Sequence, residues 1–297
     1  MATLDQLSYF VSVCDSKNMT QAAQRVHVSQ PAISKVIKNL EKEYGVRLIQ
    51  RSKSGQTVTA EGKTLYRYAN RLLTASDNLE NAMRAVRGEQ VSLKVGTSVV
   101  FMKMFPHFFK EYKETHANIS ATNYVFGSLE LVRYIEDGTL DVAIFGDTKG
   151  VKAHSLTLER VDVELWANKK NPLAQKNNVD LATDLEGFPV VLFNESAPGM
   201  DEAKVLNNSP FAAFLGENNI KMATNQVGMV KEALINNTAV ALLPKGIFAD
   251  RKELAAIPIT PRHSFTFTAY WKDDDAPHII NDFVDFARRY IHESENC

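Results

Sequence analysis

The sequence predicts an N-terminal all-α winged helix-turn-helix, a long linker helix, and then an α/β domain of two lobes. Three observations predict it. Two short helical patterns lie close together between Met19 and Gly45, followed by a basic, β-prone hairpin. An apolar repeat of seven residues runs from Leu65 to Val86. From Val91 onward, strand patterns alternate with helix patterns.

In the second of the two short helices, Ile33, Val36, Ile37, Leu40 and Tyr44 recur at i, i+3, i+4, i+7 and i+11, the apolar stripe of an amphipathic helix. Gln30, Ser34, Lys35 and Lys38 are left on the outward face. Glutamine can bond adenine in bidentate fashion, serine bonds base edges or phosphate, and lysine reaches guanine or phosphate, so this face suits a major groove. Around it, Leu4, Leu7, Phe10, Val11 and Cys14 give a preceding helix its apolar face, with Thr3 or Asp5 at its start. Thr20 is expected to cap the next helix, Ala22 and Ala23 permit close packing, and Val26 points inward. His27 to Ser29 form the turn, Pro31 suits a helix entry and Gly45 a helix end. VRLIQRSKSGQTVT then reads as two short strands about a Ser-Lys-Ser-Gly turn, with Arg51 and Lys53 near phosphates or a minor groove. An amphipathic pair with a few cations is common in any protein. Helix, turn, helix and basic hairpin together have a place in one docking geometry.

The linker helix is expected from about Glu61 to Arg87, with Thr59 as N-cap and Gly88 as stop. Leu65, Leu72, Leu79 and Val86 form a heptad seam, with Tyr68 or Ala69, Ala75 or Ser76, and Ala82 or Met83 between them. A helix of about 26 residues spans roughly 40 Å and would overhang a 60-residue domain. Dimerisation through it is therefore expected, placing two readers on a pseudo-palindromic site.

Beyond it, SLKVGTS, ISATNYVF and TLDVAIFG read as strands, with MFPHFFKEYKETH and SLELVRYIEDG as helices between them. That order implies a parallel sheet with right-handed crossovers. FPVVLFN, a helix at Phe211 to Glu217, IKMATN, VGMVKEALINN and AVALLP repeat the pattern in a second lobe. The chain would cross over around Leu158 to Trp166 and return around Phe265 to Trp271, after an irregular approach at Pro258 and Pro261. Ile279 to Ile291 would form a final helix. Ligands bind such sheets beyond the carboxyl ends of strands. Those ends hold Thr97 and Ser98, Gly127 and Ser128, Phe145 and Gly146, Phe193 and Asn194, and Asn225 to Val227.

The run from Leu4 to Gly62 resembles the winged helix-turn-helix of LysR-type transcriptional regulators. The matching stretches are LDQLSYFVSV, TQAAQRVHVSQPAISKVIKNLEKEYGVRLIQR and TVTAEG, and the later layout agrees over nearly the whole chain. The resemblance implies that Gln30, Pro31, Ser34 and Lys35 sit at the DNA-facing start of the recognition helix and that Arg51 is the wing arginine. Lys35 stands where many members carry arginine, and Ile49 and Glu61 replace the commoner phenylalanine and alanine, which bears on base preference and wing packing. It also implies a two-lobed effector domain like a type 2 periplasmic binding protein. In that domain Thr97, Ser98 and Ser128 match pocket positions, and Phe193, Asn194 and Gln226 face them. Asn237-Thr238-Ala239 occupies a turn where the family often has glycines.

The expected divisions are residues 1–60 for the winged domain, 61–88 for the linker helix, and 91–297 for the effector domain. Within the last, lobe I covers about 91–161 and 267–297, and lobe II about 162–266. The resemblance further implies a homodimer or homotetramer on double-stranded promoter DNA, a small-molecule effector and no other cofactor. RNA polymerase is kept as a further partner.

Composition agrees with this division of labour. Of 297 residues, the first 90 carry 13 Lys or Arg against 8 Asp or Glu, and the rest 21 against 27, so a basic end precedes an acidic remainder. Cys14, on an apolar helix face, and Cys297 do not suggest a disulfide. No apolar run approaches the about 18 residues needed to span a bilayer, no signal peptide is visible, and a cytoplasmic protein without membrane association is expected. Neither a phosphate loop, an HExxH pattern nor paired CxxC occurs, and the seven histidines lack ligand spacing. His292 lacks a partner, and Asp273 to Asp275 read as a solvated turn rather than a metal site. No catalytic or metal-binding residue is expected. The competing reading is a small-molecule binding protein or enzyme whose N-terminal helices serve assembly alone. Helix N-termini and hydroxyls favour a small anion as effector, while Phe145 and Phe193 suit an aromatic or apolar group equally.

Overall fold

The computed structural model describes residues 1–16, 18–52, 55–194, 209, 211–215, 219–272 and 278–295. The chain divides into two compact units, one of Met1–Val91 with Asp137–Thr139, the other of Ser92–Glu136 with Leu140–Cys297.

In the first unit, α1 (Leu4–Cys14) opens with a capping box: the Gln6 amide donates to Thr3 Oγ1 at 3.3 Å and the Thr3 amide to Gln6 Oε1 at 3.1 Å. Its buried face is Leu7, Phe10 and Val13; Leu4 is exposed, so the face is turned from the expected one toward Val13. The cap of α2 (Met19–Arg25) is Asn18, not Thr20. An N-cap needs extended backbone, which Asn18 has (φ -155°, ψ 165°), and its Oδ1 accepts from the Gln21 amide at 2.9 Å, whereas Thr20 lies inside the helix. After a tight turn at His27, α3 (Gln30–Tyr44) is capped by Ser29, carries Pro31 in its first turn, and ends at Gly45 with φ 69°. Ile33, Ile37 and Leu40 are buried, with Phe10, Val13, Ala22 and Ala23 in the same core. Tyr44 is exposed, because the last turn of α3 runs past that core.

The hairpin pairs β1 (Ile49–Ser52) with β2 (Gly55–Val58), with Ser52 opposite Gly55. Gln56 Nε2 donates to the carbonyls of Val13 and Ser16 at 3.0 and 3.2 Å, and Glu41 Oε1 accepts from the amides of Leu48 and Ile49, fixing the hairpin against both α1 and α3. Ile49, the departure from phenylalanine, is buried in this core. The long helix α4 (Ala60–Val86) begins with Thr59 Oγ1 accepting from the Gly62 amide at 2.9 Å and stops before Gly88, φ 68°. Gly62 allows close approach: a Cβ there would collide with the Leu48 carbonyl oxygen.

The second unit follows the two-lobe pattern. Its elements run β3 (Val91–Thr97), α5 (Val99–Met104), α6 (Phe108–Thr115), β4 (Ile119–Val125), α7 (Ser128–Glu136), β5 (Val142–Gly146), β6 (His154–Asn168), β7 (Val179–Asp180), β8 (Val190–Phe193), β9 (Ile220–Thr224), α8 (Val227–Ile235), β10 (Ala241–Pro244), β11 (Leu254–Ile257), β12 (Ile259–Thr260), β13 (Ser264–Trp271) and α9 (His278–Glu295). The helix expected at Met104 to His116 starts only at Phe108, as α6, and the separate α5 ends at Met104. Phe105 precedes Pro106, which disfavours helical backbone there, and takes φ -123°, ψ 62°.

One lobe is built on the order β6-β13-β5-β3-β4. β3 and β5 are parallel as expected, but β13 runs antiparallel to both β5 and β6, so the sheet is mixed. The 15-residue β6 crosses into the other lobe, where its second half lies between β10 and β11, both antiparallel to it. Parallel β8 and β9 complete that lobe, β8 bridging to Val240 beside β10. Phe101, Phe105, Phe108, Phe267 and Phe283 fill the first core edge to face, with centroids 5.2 to 5.8 Å apart. Leu165, Val190, Val240 and Ile257 lie in the second. Phe211 to Leu215, expected to start a helix, form turns, and Glu217 lies outside the described residues. Asn237 holds φ 53° in the turn after α8, a conformation asparagine tolerates in place of glycine.

Candidate functional site

On α3 the chemistry separates by face. Ile33, Ile37 and Leu40 are buried, while Gln30, Pro31, Lys35 and Lys38 are exposed and Ser34 is half-buried. The Ser29 cap and the Gly45 stop fix where that polar face begins and ends. Arg51 pairs through its backbone with Gln56 on the hairpin; Lys53 lies outside the described residues. A concave surface of about 570 Å³ joins Ser34 and Lys38 of α3 to Arg47 and Gln50 beside the hairpin. Sequence reasoning does not single out Arg47 and Gln50, although they stand in the same basic run as Arg51. Arg47 is 85% exposed and 3.6 Å from Glu41 Oε2, leaving its guanidinium able to reach an external oxyanion.

The outward face of α4 is the reverse. Tyr68, Leu72, Leu79, Met83 and Val86 are all exposed, Val86 at 80%. Ala69 is buried and Leu65 is packed against the winged core, so the exposed seam begins at Tyr68 rather than Leu65. Arg67 and Arg71 each place a guanidinium 5.5 Å from the Tyr68 ring centroid.

Between the lobes of the second unit lies a cleft of about 390 Å³. Ser128, Phe193 and Asn194 line it, as expected from the strand ends. Other expected residues do not. Thr97 and Ser98 are fully buried: Thr97 Oγ1 donates to Asn123 Oδ1 at 2.9 Å, and Ser98 Oγ accepts from the Phe101 amide at 3.2 Å as the cap of α5. Phe145 is buried with its ring stacked on Tyr270, centroids 4.4 Å apart, so it serves the core. Gln226 is exposed at the start of α8, away from the lining.

The lining adds Asp147 and Thr148 from beyond β5, and His263 and Ser264 from the return strand. Asp147 follows the marked strand end by one residue and could have been found that way. His263 and Ser264 carry no local mark, since only the return of the chain brings them to the cleft. Tyr270 sets the first pair in place: its hydroxyl donates to Asp147 Oδ1 at 3.3 Å and accepts from the Thr148 amide at 2.9 Å. Burial pushes that phenol up, keeping it a donor. His263 packs edge-on against Phe211 and Phe214, with Nε2 buried and unpaired.

A larger, shallower groove of about 660 Å³ runs along α9, where Asp282 and Asp285 are followed by Arg288 and Arg289 and His292 Nδ1 lies 3.6 Å from Glu159. His292 therefore has a partner that the sequence does not display. Its mixed charge and open form suit solvent better than a small ligand. Among the described residues, no cluster of His, Cys, Asp or Glu could hold a metal and no helix is long and apolar enough to cross a membrane; Asp273 to Asp275 lie outside them. Burial pushes the Cys14 thiol up to about 12; Cys297 lies outside the described residues.

The chain matches two family models: the bacterial regulatory helix-turn-helix protein of the lysR family over residues 4–63, and the LysR substrate binding domain over residues 87–291. It is 27% identical over 210 residues to the HTH-type transcriptional regulator BenM of Acinetobacter baylyi, covering 69% of this chain and 68% of that protein. It is 26% identical over 267 residues to a probable RuBisCO transcriptional regulator of Thalassiosira pseudonana, covering 86% of each. A full-length OxyR variant of Pseudomonas aeruginosa shares the fold with a TM-score of 0.71 at 21% identity, over 97% of this chain and 98% of that one. Full-length CbnR complexed with its target DNA does so with a TM-score of 0.68 at 21% identity, over 97% and 100%. With a helix-turn-helix whose polar face is exposed and a two-lobed substrate-binding domain, the chain belongs to the LysR family of bacterial transcriptional regulators.

Proposed function

We propose that this regulator is a dimeric or tetrameric switch in which residues 1–60 read DNA, 61–88 pair two copies, and 91–297 sense a small molecule. Lobe I is assigned to about 91–161 and 267–297 and lobe II to about 162–266, a reading supported by the long β6, which pairs with β13 in its first part and with β10 and β11 in its second. Gln30, Pro31, Ser34 and Lys35 read base edges, while Lys38, Arg51 and Lys53 hold phosphates, joined by Arg47. The observation that carries the reading is the outward polar face of α3, set opposite a fully buried stripe.

The exposed seam of α4 supports pairing. Burial of each large apolar side chain stabilises by about 1.5–3 kcal/mol, and Leu72, Leu79 and Val86 are exposed among the described residues. Two copies so joined would meet a pseudo-palindromic promoter site, with RNA polymerase recruited or blocked beside it in the cytoplasm. Effector binding in the cleft at Ser128, Phe193 and Asn194 biases one assembly state over another, which is differential binding rather than catalysis.

A gel-shift assay on the DNA flanking its own gene, with excess competitor, tests the DNA reader. The full chain forms a specific complex that Gln30→Ala with Lys35→Ala abolishes. Retained specific binding in that double variant would remove these residues from base reading.

A further inference from the structure

The cleft has a charge character that strand-end chemistry alone does not reveal. Among its described lining residues there is no lysine and no arginine, while Asp147 places a carboxylate on the wall, held by the Tyr270 hydroxyl. Two helix starts at the cleft carry bonds from the chain's own side chains. Ser98 Oγ caps α5, whose Val100 lines the cleft. At α7, whose Ser128 and Leu129 line it, Glu130 Oε2 accepts from the Gly127 amide at 3.3 Å. His263 Nε2 is buried and its ring is wedged against Phe211 and Phe214. The rest of the wall is largely apolar, including Leu129, Val191, Phe193 and Phe265.

An organic anion placed here would lose its water and meet the Asp147 carboxylate, with no lysine or arginine among the described lining residues to offset it. A donor group set on an apolar body would meet Asp147 and the hydroxyls of Thr148 and Ser264 instead. Resting on the reading of the cleft as the effector site, we propose that it selects a small hydrogen-bond donor, an amine or amide on an apolar or aromatic body, and rejects organic carboxylates. Asp147 is the residue that sets this preference. This class departs from the small anion, one of the two ligand classes that the sequence suits equally, and keeps the apolar or aromatic body of the other.

The test uses the full-length protein and three probes of one shape: benzylamine, benzamide and benzoate. Binding is read by saturation-transfer NMR and calorimetry, beside Asp147→Asn and a cleft-filling double variant, Leu129→Trp with Ser264→Trp, both at exposed positions. Thermal melts confirm that each variant folds. The expected result is that benzylamine and benzamide bind at least about tenfold more tightly than benzoate. Asp147→Asn should weaken benzylamine by about fivefold or more through loss of the charge-assisted bond. The filled cleft should bind none of the three. Benzoate binding as tightly as benzylamine, with loss in the filled cleft, would overturn the ligand class and leave the cleft standing as a site. A preference unchanged in Asp147→Asn would also overturn it. Binding that survives the filled cleft, or none by any probe at about 10 mM, weaker than ordinary small-ligand affinities, would overturn the cleft as a site altogether.

Discussion

Helices α3 and α4 are both amphipathic, and they present opposite chemistry to solvent. α3 hides Ile33, Ile37 and Leu40 in the core of its own unit and offers Gln30, Lys35 and Lys38. α4 offers Leu72, Leu79, Met83 and Val86 and buries little beyond Gly62, Ala69 and Asn70. A stripe that finds its partner locally completes a domain and frees the other face for recognition. A stripe that finds none calls for a second copy. In the function proposed above, the same periodicity gives a reader in one helix and a joint in the other.

The largest effect is expected from breaking the joint. Leu72→Glu with Leu79→Glu should shift sedimentation of the full chain to a smaller species, with association weakened by more than about 100-fold, since each buried leucine is worth about 1.5–3 kcal/mol. An unchanged assembly state would mean that the seam is not the contact. Next comes the reader. Gln30→Ala should reduce binding to the preferred site by about 10- to 100-fold, at about 1–3 kcal/mol for a bidentate base contact. Lys38→Ala should instead weaken all sequences alike and lower the salt slope by about one.

Two smaller effects sharpen the contrast between what a helix buries and what it shows. Gly62→Ala should cost about 1–3 kcal/mol in denaturant unfolding, because its methyl would press on the Leu48 carbonyl where α4 meets the hairpin. The smallest is at Cys14. Its folded value of about 12 lies above the ordinary value of 9.0, so stability is intact below about pH 9 and is lost as pH rises toward about 12. Cys14→Val should flatten that alkaline fall, and iodoacetamide should leave Cys14 unlabelled in the native protein at pH 8.

The N-terminal unit was legible in the sequence because its signals are local. Thr59, Gly45 and Gly88 act on backbone groups a few residues away, and the α3 stripe meets helices adjacent in the chain. The cap of α2 was expected at Thr20, but the extended backbone that a cap needs lies at Asn18, and sequence does not display that. The second unit was legible in its alternation and in its crossing strands, but less so in its cleft. Thr97, Ser98 and Phe145 sit at strand ends, yet α5 and the Tyr270 ring close over them. Asp147 follows the marked end of β5 by one residue, whereas His263 and Ser264 reach the same cleft only because β13 returns more than a hundred residues after β5 ends. A sequence window cannot see that return.

Two readers held together by α4 are the centre of this account. Selection of preferred sites from random duplex DNA by the full-length chain, beside Leu72→Glu with Leu79→Glu, tests it most directly. The account predicts an inverted repeat from the native protein and a single half-site, or no enrichment, from the variant. An inverted repeat recovered equally by both, or an unsymmetrical site from the native chain, would contradict it.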